Sequence, residues 1–262
     1  MNAGNGKLTV NAVKVSLDGA LGSYGAWLLD SYSDRKEFYG QNTFSIDELK
    51  KIATFSWDQN VQLCVHAIGD RANRELVDIY SQQIIQHKSK DHRWRIEHAQ
   101  IIDPLDFNLF AKAGVFPSVQ PTHAVSDQRW AVSRIGEKRM IGAYAYKSLL
   151  DQFGMIAIGT DFPVELTDPF LTIHAAVQRK NADNFPALGF LPKEQITIED
   201  CIKGMTIWAA FASFQEKQLG TLEKGKDATL VIFDRPVKST GVYTPNFAHT
   251  TFIKGKKVYS VE

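Results

Sequence analysis

The sequence predicts an α/β protein in which short apolar strands alternate with amphipathic helices, followed by a small tail made mostly of strands. Three observations carry this reading. Runs such as 61–65 (VQLCV) and 155–159 (MIAIG) are apolar throughout and too short for helices, as expected of strands covered on both faces. Segments with helical spacing separate these runs, the order that parallel strands require. After Gln218 the pattern changes: 229–233 and 250–260 read as strands with glycine turns and no helix between them, Lys254-Gly255-Lys256-Lys257 being a hairpin turn. The chain therefore divides into residues 1–217 and a β appendage, residues 218–262.

Each element has a local reason. Residues 8–17 (LTVNAVKVSL) are rich in valine and bounded by Gly6 and Asp18-Gly19, which marks a strand. A helix opens at Ser45, with Glu48 three residues on to complete a capping box. Residues 73–86 place Leu76, Ile79, Tyr80 and Ile84 on one helical face. Residues 94–97 and 115–119 read as strands, 104–113 as a helix stopped by Gly114, and 144–153 as a helix ended by Gly154. Asp168-Pro169 is a helix start, and 197–214 reads as one longer helix. This makes about five βα units, whereas a (β/α)8 barrel needs eight. Either the sheet is open or part of a barrel lies outside these residues.

Composition narrows the function. The 262 residues carry 30 Lys+Arg against 29 Asp+Glu, a net charge of +1, so no basic field draws nucleic acid or an acidic membrane. Cys64 and Cys201 each sit in an apolar run, which suits buried free thiols in a reducing, cytoplasmic compartment. No signal peptide is expected at the start of the chain, and no apolar stretch reaches the ~20 residues of a membrane span.

Polar residues recur where each strand ends. Lys14 and Asp18 close the first strand, and His66 follows LCV. His98 follows RIE, His123 follows SVQPT, and Asp161 follows IAIGT. Ligands bind at that edge of parallel α/β sheets, and imidazole with carboxylate suits zinc and similar divalent ions. Singly, each has a plainer reading: a satisfied core histidine for His66 or His98, a turn before Pro163 for Asp161. Lys14 either snorkels or pairs with Asp18, or is made neutral by burial between Val13 and Val15 and takes up carbon dioxide as a carbamate. Arg95 and Glu97 read as a pair supporting His98, and Asp70-Arg71 as a loop-to-helix turn first and a substrate contact second. His87 and His92 read as a solvated loop. No G-x-S-x-G elbow, phosphate loop or dinucleotide pattern occurs.

The segments KVSLDGALGS, VHAIGDRANRELVD, RIEHAQ, PSVQPTHAVSD, IAIGTDFPVE with DPF, and LGTLEKGKDATLVIFD resemble the amidohydrolase superfamily. The branch they resemble is that of N-substituted formamide deformylases and proteins called exoenzyme regulatory proteins. The resemblance implies a partial (β/α)8 barrel with strands of a small β-sandwich. It also implies a hydrolase of C–N, amide-like bonds acting through a metal-activated water, with one or two divalent ions, zinc foremost. Carried over by motif, Lys14, His66, His98 and Asp161 match metal ligands on successive strands, with Lys14 a candidate for carbamylation. Asp161 and His123 are then the catalytic candidates, one moving the proton and the other bonding the oxyanion. His123, Asp18 and Arg71 are the candidate contacts to a small-molecule substrate.

One departure stands out. The H-x-H pair of the family's first strand is absent from all 262 residues, so the chain resembles the C-terminal half of a family member. That raises the alternative of a non-catalytic fragment or regulatory paralogue that keeps the fold. Unpaired strand edges would also favour a homo-oligomer or a partner carrying the N-terminal half.

Overall fold

The computed structural model describes residues 2–3, 8–86, 91–238 and 241–261. His87 and the Gly6 turn lie outside the described residues. The chain forms two compact units, Met1–Val119 with Arg129–Gly154, and Gln120–Gln128 with Met155–Glu262. The fold is α/β: parallel strands alternating with helices, then antiparallel strands.

In the first unit four parallel strands lie side by side in chain order: Ala12–Ser16, Gln62–Ala67, Arg95–His98 and Phe116–Val119. Their registers place Ser16 opposite His66 and His66 opposite Glu97. Leu63, Cys64 and Val65 are all buried, which explains an unbroken apolar run in place of the alternation of a half-buried strand. Helices Ile46–Asp58 and Asp70–Gln86 pack on that strand and on each other. They bury Leu49, Ala53, Leu76 and Tyr80, each leucine adding ~1.5–3 kcal/mol of burial free energy.

The local start and stop signals act as written. Ser45 and Glu48 exchange both bonds of the capping box, Glu48 N–H donating to Ser45 Oγ at 3.2 Å and Ser45 N–H to Glu48 Oε2 at 3.0 Å. Gly114 and Gly154 end their helices, Phe107–Ala113 and Tyr146–Phe153, at φ 62° and 85°. The expected strand over 8–17 is broken, however. Leu8–Thr9 pairs antiparallel with Asn2–Ala3, and only Ala12–Ser16 joins the parallel sheet.

The second unit holds the strand Ala157–Ile158 and the helix Pro169–Gln178, capped by Asp168, whose side chain accepts the Phe170 N–H at 2.8 Å. The helix expected over 197–214 is two, Ile198–Met205 and Ile207–Ala212, because Thr206 leaves helical geometry at φ −125°, ψ −93°. Two helices had no signal in the sequence, Pro121–Asp127 here and Ala131–Arg139 in the first unit. The tail is an antiparallel sheet in the order Lys256–Ser260, Ala248–Ile253, Leu230–Phe233. Its hairpin turns on Lys254 (φ 49°) and Gly255 (φ 76°), the paired positive angles that a two-residue turn needs. No helix among the described residues is long and apolar enough to cross a membrane.

His92 departs from its expectation as a solvated residue. Its ring lies 5.9 Å from both Trp57 and Trp94, and its Nδ1 accepts the Trp94 N–H at 3.0 Å. Burial pushes its pKa from 6.5 down to about 4, only partly opposed by Asp91. Between those two values the unfolded chain binds the proton and the folded chain does not, so stability rises with pH across that window and is lost on acidification through it. We expect the melting temperature to fall from about pH 7 to about pH 4.5, and His92→Gln to flatten that slope. An unchanged slope in the variant would assign the acid sensitivity elsewhere.

Candidate functional site

At the ends of the first two strands one buried carboxylate gathers the backbone. Leu17 N–H donates to His66 O at 3.0 Å, prolonging the pairing of the strands by one residue. Asp18 follows and is 2% exposed. Its Oδ2 accepts the N–H groups of Trp27 at 2.9 Å and Gly69 at 2.8 Å, and its Oδ1 accepts that of Ile68 at 2.9 Å. Burial pushes its pKa from 3.8 up to about 7, against the pull of those three donors and with a small addition from Asp70. The loop approaches so closely that a Cβ on Gly69 would stand 2.0 Å from Trp27 O.

Against this cradle lie two imidazoles. His66 Nε2 is 3.5 Å from Asp18 Oδ1, and the His66 and His98 rings meet edge to face with centroids 4.4 Å apart. Strand alternation alone does not bring them together. The register pairs His66 with Glu97 and Ala67 with His98, so the two histidines start from opposite faces of the sheet. The backbone turns left-handed at His98 (φ 78°) and again at Ala99 (φ 43°). That pair of sterically unfavourable angles is where the strand ends and its last side chain is re-aimed.

The other candidates in the first unit stand around this centre. Lys14, in register with Cys64, is exposed, not buried between Val13 and Val15. Arg95 and Glu97 pair as expected, Nε to Oε1 at 2.8 Å. Arg71 stacks its guanidinium over the Trp27 ring at 4.5 Å and lies 3.8 Å from Glu75. Trp27 was not foreseen in the sequence. It serves both Asp18, through its N–H, and Arg71, through its ring. No local pattern marks it, since it sits in an irregular stretch nine residues beyond its partner.

Asp161 and His123 belong to the second unit. Asp161 is exposed, with left-handed backbone (φ 56°), and its carbonyl accepts the Val164 N–H at 2.9 Å. His123 is buried and lies not at the strand end but in the helix Pro121–Asp127. Nearby in sequence, Glu165 accepts a hydrogen bond from Ser126, and burial raises its pKa.

The donor chemistry of His66 and His98 suits a divalent ion, being two adjacent neutral-nitrogen ligands. Among the described residues, no group of three or more His, Cys, Asp or Glu side chains is placed to hold a metal. The centre is thus two imidazoles on a carboxylate-braced loop.

Residues 1–258 match the amidohydrolase family. The chain belongs to that family. It is 32% identical over 256 residues to the Protein LONG AFTER FAR-RED 3 of Arabidopsis thaliana, covering 96% of this chain and 43% of that protein. It is 25% identical over 226 residues to the N-substituted formamide deformylase of Arthrobacter pascens, covering 86% and 40%. Among solved structures, a metal-dependent hydrolase of Pyrococcus horikoshii OT3, itself uncharacterized, superimposes with a TM-score of 0.73 at 30% identity, covering 82% of this chain and 42% of that one. The chain spans about two fifths of the length of these relatives. The amidohydrolase resemblance and the α/β class expected from the sequence are both found.

The Asp18 cradle makes a testable demand. Asp18→Asn turns one acceptor oxygen into a donating amide, leaving at least one of three buried N–H groups without a partner. The expected loss of stability in urea is ~1–3 kcal/mol. A loss below about 0.5 kcal/mol would mean that the loops close without the carboxylate.

Proposed function

We propose that this amidohydrolase chain contributes to a metal-dependent hydrolase of C–N, amide-like bonds, with His66 and His98 as ligands to a divalent ion, zinc foremost. The observation that carries the reading is the contact of the two imidazoles at 4.4 Å, made across opposite strand faces by an unfavourable backbone at His98. A purely structural histidine pair would have no need of that geometry. Family membership and the metal-dependent hydrolase among its structural relatives support the metal. The deformylase relative supports the C–N bond.

A bound divalent ion supplies Lewis acidity, polarising a carbonyl and acidifying water. The roles of the chain's own residues follow from their chemistry. Asp18 braces the loop that carries His66. Asp161, exposed and carboxylate, is the group that accepts a proton from the attacking water at its side-chain oxygen and returns it to the leaving nitrogen. His123 hydrogen-bonds the substrate oxygen, and Arg71, held on Trp27, meets a polar group of the small-molecule substrate. Lys14 is the remaining candidate ligand; its exposure removes the burial that would favour the neutral amine and its carbamate. Residues 218–262 form part of a small β-sandwich. The buried free thiols of Cys64 and Cys201, both pushed up to about 12 by burial, suit the cytoplasm. The further ligands come from a second copy of this chain or from the N-terminal half of the barrel, which these residues do not include.

A non-catalytic paralogue is the competing reading, favoured because no group of three or more His, Cys, Asp or Glu side chains among the described residues is placed to hold a metal. Zinc titration by calorimetry separates the two. We expect weak binding to the chain, removed by the double substitution His66→Ala, His98→Ala and retained by His92→Ala. No binding by the unaltered chain would favour the paralogue, and binding indifferent to the double substitution would place the metal elsewhere.

A further inference from the structure

The second unit holds a cavity of about 240 Å³ between the helix Pro169–Gln178 and the tail. Phe170, Pro236 and Val242 give it apolar walls, and Arg235, Lys238 and Thr244 give it polar ones; no acidic side chain lines it. An adjoining hollow of about 20 Å³ shares Phe170, Lys238, Val242 and Thr244 with it and adds His174. That volume admits roughly one oxygen-sized group. The walls are tied down. Asn246 Nδ2 donates to Arg235 O at 2.9 Å, Arg235 donates to Pro245 O, and the Tyr243 hydroxyl donates to Asp168 Oδ2 at 2.6 Å.

His174 is the unusual member. It is 4% exposed, and its Nε2 has no hydrogen-bond partner. The ring also hydrogen-bonds the Asn184 side chain; with Nε2 unpaired, we assign that bond to an Nδ1–H donor. Burial first, and Lys180 second, push the imidazole pKa below its ordinary 6.5. In the neutral ring Nε2 is then a buried acceptor, and a buried acceptor left unpaired costs free energy. The site therefore asks for two things at once: negative charge, for Lys238 and Arg235, and a short donor reaching the His174 hollow.

We propose that this cavity binds a small hydroxycarboxylate, with its carboxylate against Lys238 and Arg235, its hydroxyl donating to His174 Nε2, and its carbon chain against Phe170, Pro236 and Val242. A plain carboxylic acid satisfies the cations but leaves the acceptor unpaired. A phosphate satisfies the cations and leaves the apolar walls unfilled. None of these residues belongs to the Asp18–His66–His98 centre, and no metal is needed for binding, so this site stands apart from the proposed hydrolysis.

Calorimetric titration of the metal-free chain with 3-hydroxybutyrate and with butyrate tests it. The expected result is roughly tenfold tighter binding of the hydroxy acid, the worth of about one hydrogen bond. Lys238→Ala, at an exposed position, weakens both ligands; His174→Phe removes the preference between them. The wild-type comparison alone is decisive without any variant. Equal affinity for the two acids, no heat from either, or binding untouched by Lys238→Ala would each overturn the proposal.

Discussion

The candidate site depends on one interaction, the cradle of three backbone N–H groups around the Asp18 carboxylate. Two parallel strands end side by side, and the loops that leave them have no ladder to hold them. Asp18 supplies the missing acceptor to both: Trp27 from its own loop, Ile68 and Gly69 from the loop beyond His66. Hydrogen bonds to an ionised acceptor are worth about twice those between neutral groups, and here they offset part of a desolvation penalty that still raises the Asp18 pKa to about 7. The result is a rigid strand end in a place where loops are ordinarily mobile. His66 leaves the sheet within that rigid corner, so its ring has one place to go, beside His98.

The second constraint is parity. Side chains alternate along a strand, and register fixes which of them share a face. By register His98 belongs with Ala67, away from His66. The molecule overrides this at the last residue of the strand through two consecutive left-handed angles, at His98 and Ala99, neither of them glycine. Surrounding order makes that strain sustainable: Ala99 and Gln100 are buried, Gln100 Nε2 donates to the Tyr144 hydroxyl at 3.0 Å, and Tyr144 N–H donates to Gln100 O at 2.7 Å. Backbone strain of this kind, at a strand end that brings two imidazoles together, is of the sort that clusters at functional sites.

How much of this was legible follows from the range of each cause. Signals confined to a few residues read through. The Ser45–Glu48 box, the glycines at 114 and 154, and the Asp168-Pro169 start act within one helical turn and appear as written. The breaks at residues 10–11 and at Thr206 were invisible because the apolar pattern continues across them, and tertiary packing decides where the chain bends. The helices after Gln120 were missed because their polar stretches carry no clear period, and His123 was accordingly set at a strand end. Lys14 shows the limit of reasoning from neighbours: an apolar surrounding in sequence becomes, by alternation, an exposed side chain between one half-buried and one buried valine. For the site, strand ends led to His66, His98 and Asp18, which the structure brings side by side. The parity reversal and the part played by Trp27 could not be read, since both arise from backbone geometry that no residue type announces.

Burial is met differently by the groups at the strand ends. A buried carboxylate must have donors or lose its charge, and Asp18 has three. His66 and His98 can rest edge to face, each covering the other, at the modest cost of polar atoms with limited solvation. Asp161, the carboxylate with no such cradle, stands exposed, where water solvates it.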